Sequence, residues 1–303
     1  MMLPCFTSLP DALSDIFGSS IKITQSVQLS GGDINQACRL TLNDGTHIFM
    51  KANTKENLPF FKTEAAGLSA IAKTETVRTP RMLGYGTDEA KGGYSFLLLE
   101  YAQGKKQAKD YWENFAGQLA AMHRAPALEF VSGGRYGFLE DNFIGAGRQV
   151  NTASDSFAAF FRDCRLKPQI ERAFRYFEKS DFKKLDWLAQ HTDRILTEPE
   201  YPSLLHGDLW SGNVITGNDG KAWLTDPAVY VGHAEADLAM TELFGGFPRA
   251  FYEAYQEAAP LQPGYSERRD FYNLYHLLNH LNLFGRAYLG PVMSVVSRYA
   301  GRM

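Results

Sequence analysis

Between residues 205 and 226 the chain reads Leu205-His206-Gly207-Asp208-Leu209-Trp210-Ser211-Gly212-Asn213, then an Asn218-Asp219-Gly220 turn, then Leu224-Thr225-Asp226-Pro227. No other feature constrains the chain as much. It joins an H-x-D-x-x-x-x-N spacing to a second aspartate that closes an apolar run 13 residues after Asn213. An Asp and an Asn at that spacing are common loop formers by chance. Here the context points to chemistry instead: His206, Gly207 and Gly212 flank the pair, a short apolar run precedes it, and a hairpin turn leads to Asp226.

Phosphoryl transfer requires a carboxylate that orients the attacking hydroxyl and accepts its proton, together with oxygen ligands that hold Mg²⁺ against the phosphates. Asp208 suits the first task. Asn213 and Asp226 suit the second, because hard Mg²⁺ takes carboxylate and amide oxygens and keeps several waters.

The preceding segment supplies complementary parts. Residues 21–51 alternate β-branched or apolar residues with polar ones, broken by Gly31-Gly32 and Asn43-Asp44-Gly45, which predicts antiparallel hairpins. Residues 58–73 switch to helical spacing, with Leu68, Ile71 and Ala72 on one face and Glu64 one turn before Leu68. Turns around a short strand follow at 84–93, and 94–101 reads as a buried strand that ends a first lobe. Lys51 closes the strand 48–51, where a point charge reaches the α/β-phosphates, and Glu64 on the next helix is placed to pair with it. Taken singly, each is a solvated strand end or helix face; their order makes them a pair. Gly31-Gly32 would let backbone N–H groups approach the β- and γ-phosphates, although a plain hairpin turn uses the same residues and no G-x-G-x-x-G is present. The backbone of Glu100, Tyr101 and Ala102 is the candidate hinge for an adenine edge.

Beyond Gly104 the periodicity is mostly helical. Trp112, Phe115, Ala116, Leu119 and Met122 mark a helix over 111–124, and Phe271, Leu274, Leu278, Leu281 and Phe284 mark the inward face of one over 267–289. Short β pieces are expected at 203–206 and 222–225. The expected fold is α+β and bilobal: a small antiparallel β-sheet lobe with one helix over 1–101, and a larger mainly α-helical lobe over 102–303. A length of 303 residues accommodates two lobes at ~150 residues each. The net charge of −3 supplies no global field for nucleic acid or an anionic membrane. Three widely spaced cysteines fit reduced thiols, and the first residues lack the pattern of an export signal, so a cytoplasmic protein is expected.

With these residues in place, the chain resembles the fructosamine-3-kinase (ketosamine-3-kinase) family, a protein-kinase-like group related to aminoglycoside phosphotransferases. The resemblance rests on residues 205–213 with Asp226-Pro227-Ala228, Tyr230-x-Gly232-His233, Glu235-x-Asp237-Leu238-Ala239 and Phe244-Gly245-Gly246-Phe247-Pro248. Gln149-x-Asn151 and Phe160-Phe161-x-x-x-Arg165-Leu166 extend it over nearly the whole chain. It implies ATP and Mg²⁺ as cofactors, Asp208 as base, Asn213 and Asp226 as metal ligands, and Lys51 with Glu64 at the nucleotide phosphates. It further implies phosphorylation of the C3 hydroxyl of a ketosamine, either a small molecule or a glycated lysine, leading to deglycation. Trp210 is the candidate sugar or amine platform, with packing in the lobe core as the alternative. His233 and Asp237 are expected to anchor the catalytic segment. Where many relatives have Gly-Gly-Cys-Ile, this chain has Gly31-Gly32-Asp33-Ile34, so thiol control at that loop is unsupported and the role of Asp33 is open.

Competing readings meet specific obstacles. No A-P-E segment or long activation loop follows Asp226-Pro227-Ala228, which argues against a protein kinase. A nucleotide-binding pseudokinase would lack a base or metal ligand, yet Lys51, Asp208, Asn213 and Asp226 are all present. An aminoglycoside- or choline-type phosphotransferase shares the H-G-D…N…D core, but not the Leu209-Trp210 pair or the Phe-Gly-Gly-Phe-Pro run.

Overall fold

Leu97, Leu98 and Leu99 are all buried although they are consecutive on one strand, because the sheet that contains them is covered on both faces. The computed structural model describes residues 4–29, 35–104 and 106–301, and the chain divides into two compact units. The first comprises Met1–Tyr111 and Val214–Asp226; the second comprises Trp112–Asn213 and Pro227–Met303.

The first unit is built on a six-stranded sheet of β1 (Cys5–Phe6), β2 (Ile23–Leu29), β3 (Gln36–Leu42), β4 (His47–Asn53), β5 (Met82–Asp88) and β6 (Tyr94–Glu100), ordered β1-β5-β6-β4-β3-β2. The pairings are antiparallel except β1 with β5, which are parallel. At that edge the chains touch closely: a Cβ on Gly86 would lie 2.0 Å from the carbonyl oxygen of Phe6. Helix α1 (Leu9–Phe17) covers one face, and α2 (Leu58–Lys73) covers the other. Side-chain alternation sorts the strands accordingly. Ile48, Met50, Phe96 and Leu98 pack with Leu9, Ala12 and Leu13 of α1, while Phe49, Leu97 and Leu99 pack with Phe61, Ala65 and Leu68 of α2. Helix α1 and the parallel edge strand add to the single helix and antiparallel sheet expected from the sequence. The start of α1 is fixed by Ser8, whose Oγ accepts from Asp11 N at 3.2 Å, and by Asp88, whose Oδ2 accepts from Leu9 N at 2.7 Å. On α2 Ala72 is exposed, not inward as the spacing suggested: Leu68 and Ile71 lie on the buried face, and Ala72, one residue from the helix end, turns out of it.

The second unit begins within α3 (Tyr111–Arg124), at Trp112, and α3 leads to the hairpin of β7 (Asn142–Ile144) and β8 (Gly147–Gln149). Helix α4 (Phe157–Phe160) runs through a π turn over Phe161–Leu166 into α5 (Lys167–Arg172), followed by α6 (Lys179–Gln190) and α7 (Thr192–Ile195). Strand β9 (Ser203–Leu205) comes next, and β10 (Val214–Thr216) with β11 (Ala222–Leu224) forms a hairpin belonging to the first unit. Strand β12 (Tyr230–Gly232) pairs back on β9 with Tyr230 opposite Leu205. Helices α8 (Ala234–Leu243), α9 (Arg249–Ala258), α10 (Tyr265–Phe284) and α11 (Leu289–Ala300) complete the unit. The run from Phe271 to Asn279 in α10 is continuously buried, so that helix is enclosed by its neighbours. Phe284 is 50% exposed, a correction to the inward position its spacing suggested: the helix stops at Gly285, whose φ of +83° favours glycine. Among the described residues no helix is long and apolar enough to cross a membrane.

Candidate active site

Strand parity puts Lys51 on the same face of β4 as Phe49, toward α2. Its ammonium donates to Glu64 Oε1 at 2.7 Å and also to Asp226 Oδ1. Lys51 is 6% exposed, whereas the Asp226 side chain is half exposed. Burial works against a charged lysine, but the Asp226 and Glu64 carboxylates outweigh it and hold the ammonium above its ordinary pKa. Lys51 is therefore a fixed cation. Asp226 adopts φ +54°, a left-handed conformation uncommon for a residue with a Cβ. The trio of Lys51, Glu64 and Asp226 lies within the first unit.

Just beyond β6, Asn218 pins the backbone of the candidate hinge. Its Nδ2 donates to Tyr101 O at 3.2 Å, and its Oδ1 accepts from Gln103 N at 2.9 Å. Glu100 N donates to Arg81 O at 2.9 Å, and Glu100 Oε2 accepts from Arg81 N at 3.2 Å. Of the three hinge candidates, only Ala102 makes no backbone hydrogen bond among the described residues. Gly31, Gly32 and Asp33 lie outside the described residues.

In the second unit the fully buried β9 delivers His206, Gly207 and Asp208. Asp237, 1% exposed at the start of α8, receives His206 N at 2.7 Å and Gly207 N at 2.9 Å. Its carboxyl is held below the usual range: burial would raise it, but His123 and the backbone donors more than compensate. Gly207 has φ +82°, and a Cβ there would meet Ala228 O at 2.0 Å. Asp208 N donates to His206 Nδ1 at 3.2 Å, and Asn213 Nδ2 donates to Asp208 O at 2.8 Å. The segment is thus tied down on both sides while the Asp208 side chain remains 22% exposed. Asp237 anchors the segment as expected from the sequence. His233 does so only indirectly, since its Nδ1 accepts from Glu235 N at 3.2 Å and caps α8.

Trp210 is 36% exposed, with its indole against Gly212, where a Cβ would come within 2.3 Å of the ring, and 6.2 Å from Phe244. Phe244 in turn lies 4.8 Å from His280. Reading the sequence gave no site role to Phe244, His280 or His276, although the i, i+4 histidines on a predicted helix were a visible signal. Nδ1 of His276 lies 3.9 Å from Asp208 Oδ1, and burial pushes its pKa down to about 3, so the pair is not an ion pair near neutrality.

No three His, Cys, Asp or Glu side chains gather as a metal cage among the described residues. Asp226 offers a half-exposed carboxylate and Asn213 an amide oxygen, each a hard donor of the kind Mg²⁺ takes.

Fold and site together define a phosphotransferase of the protein-kinase-like class. The fructosamine kinase family model matches residues 5–301, and the chain belongs to that family. A Synechocystis protein described as "Probable ketoamine kinase" is 39% identical over 282 residues, spanning 93% of this chain and 92% of its own. A chloroplastic protein-ribulosamine 3-kinase of Oryza sativa subsp. indica is 37% identical over 285 residues, spanning 93% and 80%. A crystal structure from Haemophilus somnus, of a protein assigned as a fructosamine-3-kinase, superposes with a TM-score of 0.82 at 30% identity over 96% of each chain.

Proposed function

We propose that this enzyme is a ketosamine kinase that moves the γ-phosphoryl group of ATP onto the C3 hydroxyl of a sugar joined to an amine. Asp208 is the base: it orients the C3 hydroxyl and accepts its proton as the oxygen attacks phosphorus. Lys51, oriented by Glu64, holds the nucleotide phosphates, and the backbone around Glu100, Tyr101 and Ala102 takes the adenine edge. Asp226 and Asn213 hold Mg²⁺, which when bound neutralises charge on the phosphates. In this reading Asn213, whose Nδ2 donates to Asp208 O, holds the ion through its amide oxygen, since the nitrogen is a donor only. The exposed face of Trp210, beside Phe244, stacks the sugar or amine part of the acceptor.

The observation that carries this reading is the immobilised segment from His206 to Asn213, which presents a carboxylate whose own backbone is held by Asn213 while Asp237 fixes the residues before it. The substrate class is supported by the relatives described as ketoamine and ribulosamine kinases. Phosphate at C3 is a leaving group: loss of a C1 proton gives the C1–C2 enol, phosphate departs from C3, and water then hydrolyses the resulting imine to free the amine. The enzyme is accordingly a deglycation kinase.

The test incubates the protein with Mg-ATP and a panel of fructosyl-, ribulosyl- and erythrulosyl-amines, free and peptide-bound, locating the phosphate by phosphorus NMR. Phosphate at C3 is the expected product. Transfer to kanamycin-type amines with none to any ketosamine overturns the substrate class, and nucleotide binding without turnover overturns the enzymatic reading.

A further inference from the structure

The Gln149-x-Asn151 pair and Arg165 take no part in the chemistry above, yet they belong to a buried polar network that ends on the residues beside the catalytic segment. Gln149 Nε2 donates to Ala228 O at 2.9 Å, and Asn142 Nδ2 donates to Val229 O at 2.7 Å. Asn142 and Gln149 are opposite each other in the β7–β8 hairpin, and Gln149 Nε2 also donates to Asn142 Oδ1 at 2.8 Å. Behind them Tyr275 OH donates to Gln149 Oε1 at 2.7 Å, and Asn151 Nδ2 donates to Asn142 Oδ1 at 2.9 Å. Arg165, in the π turn and fully buried, donates to Asn151 Oδ1 at 2.8 Å and to Val150 O. It lies 3.9 Å from the Tyr230 ring centroid and 5.6 Å from that of Tyr275.

The directions of these bonds matter. Gln149 and Asn142 each accept on the amide oxygen, from Tyr275 and from Asn151, and donate on the nitrogen to the carbonyls of Ala228 and Val229, so only a side chain with both functions completes the chain. Ala228 N donates to His206 O at 2.9 Å, and the Ala228 carbonyl is the group against which Gly207 packs without room for a Cβ. Moving Ala228 therefore moves the residue that precedes Asp208. The amides of Gln149, Asn142 and Asn151 have every nitrogen and oxygen hydrogen-bonded, and among the described residues of the network only Arg165 Nε has no partner. Losing one amide leaves the polar atoms that faced it unpaired, in a network that is otherwise held rigid.

We propose that Gln149 and Asn142, locked by Tyr275 and Asn151, are positioning residues that set the Ala228 carbonyl as the seat of Gly207 and so fix where Asp208 presents its carboxylate. The kinetic part rests on Asp208 acting as base in the reaction proposed above. An error of about 1 Å in such a placement costs up to about 100-fold in rate without weakening binding.

The experiment replaces Gln149 by Met, which keeps the shape and removes both amide functions. Steady-state kinetics with Mg-ATP and fructosyl-lysine are combined with hydrogen exchange measured by mass spectrometry. The expected result is a kcat about 10- to 100-fold lower with both KM values within about twofold. Exchange should quicken at residues 206–208 and 228–230 while residues 271–279 keep their protection. Wild-type kcat in the folded variant overturns the proposal, as does a loss of rate that merely tracks the folded fraction with exchange raised throughout the unit. If Gln149→Met does not fold, Tyr275→Phe, which deletes one hydroxyl, decides by the same measurements with a smaller fall. If the wild-type protein phosphorylates no ketosamine, the functional reading fails, and the exchange pattern alone decides the role of the clamp.

Discussion

The α-carbon of Gly207 rests directly on the carbonyl of Ala228: a Cβ would lie 2.0 Å from that oxygen and 2.7 Å from its carbon. Two backbones meet there with no intervening side chain, and the next residue along is Asp208. Gly207 also has φ +82°, so two independent reasons exclude any other residue.

Replacing Gly207 by Ala should therefore destabilise the protein by roughly 2–6 kcal/mol, combining backbone strain with an overlap that only backbone movement relieves. Urea unfolding measures the loss, and turnover should fall with it. An Ala variant with unchanged midpoint and unchanged rate would show that the segment has slack the geometry denies.

Asp208→Asn keeps the size of the side chain and the bond from Asn213 to the Asp208 carbonyl, but cannot take up a proton. Its kcat should drop about 10²- to 10⁴-fold, while nucleotide affinity measured by calorimetry stays near that of the wild type. Near-normal transfer by this variant would remove Asp208 from the role of base.

Lys51→Met removes the cation from between two carboxylates. Nucleotide affinity should weaken, and stability should fall by up to about 3–5 kcal/mol because Glu64 is left buried without its partner. Adding Glu64→Gln should restore most of the stability but none of the activity. If the double variant regains turnover, the ammonium is structural only.

His233 is buried, and that burial lowers its pKa to about 4, below the ordinary histidine value of 6.5. A depressed folded-state value means the unfolded chain binds the extra proton first, so stability is full above about pH 6.5 and is lost as pH falls toward 4. The loss reaches roughly 3 kcal/mol at the acid end. Asn retains an oxygen that caps α8 and does not titrate, so unfolding of His233→Asn from pH 7 to 4.5 should depend less steeply on pH than that of the wild type. Identical slopes would assign the acid sensitivity elsewhere, His276 being the next buried imidazole.

Trp210→Ala should raise the KM for the ketosamine about 3- to 10-fold, the value of one aromatic contact, and leave the KM for ATP unchanged. Equal changes in both would mark the indole as packing for Gly212 and Phe244 and not as a platform.

Much of this site was legible in the linear sequence where chemistry and spacing coincide. Asp208, Asn213 and Asp226 stand out because the proposed reaction needs oxygen groups at short, fixed separations, and the Lys51–Glu64 pair because a lysine that closes a strand is followed by a glutamate on the next helix. Elements defined by what covers them were harder to read. Helix α1 has a capping Ser8 and apolar residues at helical spacing, but only the packed sheet shows why three consecutive leucines of β6 are all buried.

Local sequence determined the candidate reactive groups, the strand that bears the lysine, and the helix that bears its partner, because backbone periodicity and side-chain chemistry are properties of neighbouring residues. Tertiary structure alone decided what holds those groups still. Asp237 reaches back 30 residues to Gly207, Gln149 reaches 79 residues to Ala228, and Asn142 reaches 87 to Val229. A side-chain amide or carboxylate bonds to any backbone group brought within about 3 Å, whatever the distance along the chain, so no periodicity announces such a partner before the fold assembles it.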